Sequence, residues 1–243
     1  MIRRGPQTNF VPGGEQLFQR IYTRLGCEGR PPQFIVQYHP YADLTHTVRL
    51  REGIAYVRLS DALARAPLSV IEAAAAILLS RLYRRRAPAG LLEAYRRFSH
   101  APATRRRLRS MRQRRGRRLK HSPEGSHHDL ATLFARLNRE YFDNALALPR
   151  LVWSRRPWRS QLGCFDPALN QIVINRRLDR PGVPEYVVAY VLYHEMLHQR
   201  HPTRYVQCRR KFHPGAFRNR ERQFTHYARA KRFLVGCNAG KIC

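Results

Sequence analysis

His194, Glu195 and His198 stand in the order H-E-x-x-H. On a helix, positions four apart share a face, so both imidazoles can reach one metal ion. Glu195, next to the first His, can touch a water at that metal without being a ligand. Two nitrogen donors and a neighbouring carboxylate are the parts of a zinc hydrolase, and Zn2+ is the expected cofactor. The run before them, from Tyr186 to Tyr193, is almost entirely apolar. A solvated surface helix would not carry such a run. A buried helix would not end in three polar groups without a partner for them.

Two His do not complete a zinc site, which needs a third protein ligand and an open position. His201 lies beside Pro202 at the helix end and is badly placed to fold back. His213, just before the last helix, has a longer loop in which the chain can return. Cys208 and Glu221 are the alternatives. For a second oxyanion donor, Tyr186, Tyr190, Tyr193 and Arg218 stand as equals.

The elements that must position these groups follow from local pattern. Ser126 to Asp129 reads as a helix start, followed by Leu130, Leu133, Phe134, Leu137 and Tyr141 at helical spacing. Leu151–Trp153, Gly163–Phe165 and Gln171–Asn175 read as strands, the last two joined by a turn-rich connection. Pro184 suits the first position of the motif helix and His201-Pro202 its end. A further helix is expected over 216–233. The strand near Ile172 is a candidate for holding an extended peptide by strand addition. The fold class is α+β, a short sheet packed on helices.

The N-terminal region repeats that order. Leu17-Phe18 opens a helix-like stretch, Phe34–Val36 and Val57–Ser60 read as strands, and Pro67 opens an apolar helix. With Pro67 set against Pro184, Ile77, Leu78 and Arg81 fall where His194, Glu195 and His198 stand. The expected organisation is residues 1–95 as an α+β region, a degenerate metal-free copy of the second; 96–125 as an Arg-rich linker; and 126–243 as the metal domain.

The net charge is +30. A charge of that size favours association with a polyanion, nucleic acid first and an anionic membrane surface second. The densest basic stretch comprises Arg105, Arg106, Arg107, Arg109, Arg112, Arg114, Arg115, Arg117, Arg118 and Lys120. Like charges at this density oppose collapse, so an exposed linker that clamps phosphates is expected, helical when an anion neutralises it. Trp153 lies in an apolar strand and suits core packing. Trp158, amid Arg155, Arg156, Pro157 and Arg159, suits either packing or base stacking. Five widely spaced cysteines argue for reduced thiols in the cytoplasm. No secretory or membrane-spanning segment is read.

Residues 130–233 resemble the SprT-like, Spartan-type zinc metallopeptidase domain. The resemblance rests on Leu133-Phe134 through Tyr141-Phe142, Leu151-Val152-Trp153-Ser154, Ile172–Asn175 through Leu178, the His194–His198 motif, and His213 followed by Phe217 as H-x-x-x-F. It implies a small minigluzincin-like domain and His213 as third ligand. It also implies an endopeptidase acting on proteins associated with nucleic acid. The chain departs from many members in lacking two Cys pairs for a zinc ribbon. Asn175–Leu178 and the motif helix also resemble YgjP-like metal-dependent hydrolases, in which the third His follows sooner. The competing readings are a non-enzymatic nucleic-acid-binding protein with a structural zinc and a hydrolase of nucleotides.

Overall fold

The computed structural model describes residues 9–118, 122–201, 204–206, 209–211 and 215–238, with the backbone alone for 204–206, 209–211 and 237–238. The chain divides into two compact units, residues 1–116 and 117–243. The class is α+β, with eight helices among the described residues. No described helix is long and apolar enough to cross a membrane.

Unit 2 starts with α5 (Leu130–Phe142), then β4 (Arg150–Trp153), β5 (Gly163–Asp166) and β6 (Gln171–Ile174). A 3-10 turn over Arg176–Leu178 leads to α6 (Glu185–Arg200). A two-stranded pair, Arg204–Val206 with Arg209–Lys211, precedes α7 (Gly215–Arg222) and α8 (Tyr227–Asn238). The sheet order is β4-β6-β5, with β4 parallel and β5 antiparallel to β6. All four residues of β6 are buried, as expected of a central strand covered on both faces. On α6, every residue from Val187 to Tyr193 is buried. Seven in a row is nearly two turns, so this helix is surrounded by protein on all sides.

Unit 1 has the same order of elements. It runs α1 (Gly14–Arg24), β1 (Gln33–His39), β2 (Thr47–Arg51), β3 (Ile54–Ser60), a 3-10 turn over Asp61–Leu63, and α2 (Leu68–Leu82). Its sheet is β1-β3-β2, again with the first strand parallel and the second antiparallel to the central one. Each 3-10 turn is capped by the residue just before it: Ser60 accepts from Ala62 N–H, and Asn175 from Arg177 N–H. Pro67 and Pro184 are the N-cap residues of α2 and α6. Ala73–Ala76 are fully buried, and such small side chains let neighbouring helices approach α2 closely.

Two expectations are corrected. The basic tract, expected as an exposed linker over 96–125, is in large part packed: α3 (Ala89–His100) and α4 (Pro102–Arg115) fill most of it and lie in unit 1. Thr104 and Met111 are buried and Leu108 half-buried, a stripe at helical spacing. Arg115 pairs with Asp61 at 2.8 Å, and Arg107 donates to the Asp61 carbonyl. The expected last helix is broken between Arg222 and Tyr227. There Phe224 is buried against Tyr141, Tyr190 and Tyr193, and Thr225 N–H donates to Tyr141 Oη. Burying Phe224 and satisfying Thr225 requires a turn where helix would carry both past the core.

Asp179 ties the entry of unit 2 to the segment before α6. It is buried and accepts from the backbone N–H of Ser126, His127 and His128 at 2.7, 2.9 and 3.2 Å. Gly125 is required alongside, because a Cβ there would fall 2.5 Å from Asp179 Oδ1. Burial pushes the Asp179 carboxyl up, but these hydrogen bonds and His128 outweigh it and hold it below its ordinary value. Asp179→Ala strands three donors and is expected to destabilise unit 2 by about 3 kcal/mol. Urea denaturation followed by tryptophan fluorescence reads this unit, since both Trp residues lie in it. The carboxyl's stabilising effect is present above the ordinary carboxylate range and lost as pH falls through its lowered value, so mutant and wild type converge in acid.

Candidate metal centre

α6 places His194 and His198 on one face with ring centroids 5.0 Å apart. Both are half-buried, whereas Glu195 between them is 5% exposed. Phe217, on α7, is fully buried and its ring lies 5.1 Å from His194 and 4.7 Å from His198. It walls the imidazoles on one side and limits their rotation. The hydroxyls of Tyr190 and Tyr193 donate to Glu221 and to the Arg220 carbonyl. Burial raises both, Tyr193 to about 12.

Glu221 lies 2.7 Å from His194 Nδ1 and takes the Tyr190 hydroxyl at 2.8 Å. Burial pushes its carboxyl up, but hydrogen bonds from His194 and Tyr190, with the charge of Lys231, bring it down to about 2. An ionised Glu221 accepts the Nδ1 proton, making Nε2 the lone-pair nitrogen of His194. A carboxylate behind a metal-ligating His commonly sets that tautomer. Glu221, weighed in the sequence as a ligand, is placed against His194 Nδ1. The signal was its phase on the last helix, which nothing local related to His194.

Glu195 is held against β5. A Cβ on Gly163 would fall 2.7 Å from Glu195 Oε1 and 2.8 Å from its Cγ. Any larger residue at 163 would displace the carboxylate. Burial raises Glu195 to about 7, opposed by the charge of His194 and a hydrogen bond from the Phe165 backbone. The two imidazoles, with this shielded carboxylate beside them, fit a divalent cation, whose charge would offset the cost of burying Glu195.

His213 and Cys208 lie outside the described residues, as does Lys120. Among the described residues no group of three or more His, Cys, Asp or Glu could hold a metal ion. The strand proposed to hold a peptide is also corrected. β6 is paired on both sides, so the outer strand next to α6 is β5. In the basic tract, Arg105, Arg106, Arg109, Arg114, Arg117 and Arg118 are exposed and Arg112 is half-buried.

Unit 1 has different chemistry at the corresponding places. Ile77 and Leu78 stand on α2 where the first His and the Glu stand on α6, and Arg81 where the second His stands. By strand register, His46 falls at the place of Gly163. Its Nδ1 accepts from Ser60 N–H at 3.0 Å and its Nε2 donates to Tyr95 Oη at 2.8 Å. Burial lowers His46 to about 4, against the opposing effects of Asp43 and the Thr45 backbone. A groove of about 730 Å³ in unit 1, lined by Glu15, Tyr22, Glu28, Arg30 and Tyr83 among others, contains none of the motif residues.

Comparison of the chain with protein families, with curated proteins and with solved structures finds no match.

The raised Glu195 gives a pH-dependent expectation for the protein in chelator. A carboxyl whose folded pKa is raised binds protons more tightly in the fold, so stability falls as pH rises from about 4.5 to 7 and is flat above. Glu195→Gln lacks this loss and is expected to exceed wild type at pH 8 by about 3 kcal/mol, converging at pH 4. Parallel urea curves at the two pH values check it; an unchanged difference between them counts against the burial argument. Gly163→Ala is expected to destabilise by roughly 1–3 kcal/mol through the clash with Glu195, relieved in the Gly163→Ala/Glu195→Ala pair.

Proposed function

We propose that unit 2 is a zinc-dependent endopeptidase of SprT-like, minigluzincin type, acting on proteins associated with nucleic acid. The observation that carries this reading is the buried Glu195 carboxylate, seated against Gly163, on the helix that sets two imidazoles on one face. His194 and His198 would hold the zinc, with His213 as third ligand. Zinc, when bound, supplies Lewis-acid polarisation of a carbonyl and of water.

The chain's own residues supply the rest. Glu195 takes a proton from the attacking water and passes it to the leaving amine. Glu221 keeps His194 in the required tautomer, and Phe217 holds both rings in place. The edge of β5 pairs with an extended substrate and sets its scissile carbonyl beside Glu195. The +30 charge, with α4 as one basic surface, concentrates the enzyme on nucleic acid where its substrates lie.

Unit 1 we infer to be a duplicated copy that has lost its metal ligands. The shared strand order, the two capped 3-10 turns and the two proline N-caps support this.

Metal analysis and a casein assay on the same samples test the reading. His194→Ala, His198→Ala and His213→Ala are expected to lose zinc and cleavage together. Glu195→Gln is expected to keep zinc and lose cleavage by about 10²–10⁴-fold. Added DNA is expected to raise wild-type cleavage. Cleavage retained in Glu195→Gln sinks the mechanism. Zinc without cleavage, and zinc lost in Cys208→Ala, would assign a closed structural site; chelator-sensitive turnover of nucleotides but not casein would assign the nucleotide hydrolase.

A further inference from the structure

Two buried polar side chains in unit 2 hold arginines of separate segments together. Ser154 is 1% exposed; its hydroxyl donates to the Arg156 carbonyl at 2.8 Å and accepts from Arg176 N–H at 3.0 Å. Asn175 is also 1% exposed; its Oδ1 accepts from Trp158 N–H at 3.1 Å and Arg177 N–H at 3.0 Å. Its Nδ2 donates to the carbonyls of Trp158 and Gln161 at 2.9 and 2.7 Å. The β4–β5 loop is thereby fixed along the 3-10 turn after β6. The backbone of Arg156 is set beside that of Arg176, and that of Trp158 beside Arg177, with Arg155, Arg159 and Arg180 next along the chain. Five of these six are exposed, and none has a carboxylate partner among the described residues. Like charges repel, and a connection with no other duty would let them spread apart. Spending two fully satisfied buried side chains to fix them side by side is the arrangement an anion site requires. Trp158 lies half-buried at the centre of the loop.

We propose that this loop and turn bind a single-stranded nucleic acid, with phosphates on the arginines and a base stacked on Trp158. The surface deepens the nucleic-acid part of the reading above and does not depend on proteolysis. Gln161 and Leu162 carry the loop directly into β5, the strand that seats Glu195. The bound strand therefore lies on the same rigid element as the candidate centre. Prefixing the loop also lowers the ordering cost of binding.

The test is fluorescence anisotropy of the full chain with a labelled 20-nucleotide single strand across a salt series. Arg156→Gln/Arg159→Gln/Arg176→Gln is expected to lower the slope of log K against log salt by about 2 and to weaken binding at least tenfold near 0.15 M salt. Trp158→Ala is expected to weaken binding about 5- to 100-fold with the slope unchanged. Trp153 is fully buried, so binding-induced fluorescence quenching reports Trp158 and disappears in Trp158→Phe. A far-UV spectrum and melting midpoint like wild type confirm that these surface changes leave the fold intact. Wild-type affinity and slope in the triple variant, with loss confined to Arg106→Gln/Arg109→Gln/Arg114→Gln on α4, would overturn the proposal. So would triple-sensitive binding to phosphatidylserine vesicles without binding of the oligonucleotide, which would assign a membrane surface. Unchanged affinity in Trp158→Ala would overturn the single-strand assignment. Loss of cleavage in Glu195→Gln leaves these binding readouts untouched, so the two readings fail separately.

Discussion

Glu195 lies against the backbone of β5, where Gly163 leaves room for its carboxylate and Phe165 N–H faces it. A carboxylate removed from water is costly unless its surroundings answer its charge. Much of unit 2 can be understood from that requirement. α6 must be buried on every side to carry Glu195 inward, while its last turns keep the two imidazoles within reach of solvent. β5 must present Gly163 there so that its backbone, rather than a side chain, meets the carboxylate. Phe217 and Glu221 on α7 then fix the imidazoles from the opposite direction.

The buried polar residues outside the centre have a related task. Asp179, Asn175 and Ser154 each gather backbone groups from separate stretches of chain. Their hydrogen bonds fix loops where apolar packing is too sparse to do so, and each buried group is satisfied in return. Connections in unit 2 are therefore determined almost as tightly as its helices. In unit 1 the same turn is capped by Ser60, and the corresponding region is closed by the neutral pair of His46 and Tyr95. One strand order serves both units, with a buried carboxylate in one and a neutral imidazole in the other.

The positive charge is arranged rather than spread. α4 carries its arginines around a stripe formed by Thr104, Leu108 and Met111, and the stripe is enough to hold the helix to unit 1 with help from Asp61. That spacing was present in the sequence, but the density of like charge around it pointed to an unpacked linker. On α4 the buried Met111, the half-buried Leu108 and the ion pair to Asp61 act at short range and outweigh the screened repulsion between its arginines.

Local pattern determined much of this protein. The strands at 151–153, 163–165 and 171–174, the proline-headed helices and the repeated order of elements are all set by side-chain period and by residues that start or stop helices. So is the sharing of one helical face by His194 and His198, which follows from spacing alone. The tertiary structure decided what touches that face. The break at Phe224, the placement of Glu221 behind His194, the need for glycine at 163 and the clamping of Trp158 by Asn175 join residues distant in the chain. Such contacts depend on how elements pack, and a sequence window sees the period of each element but not its neighbour.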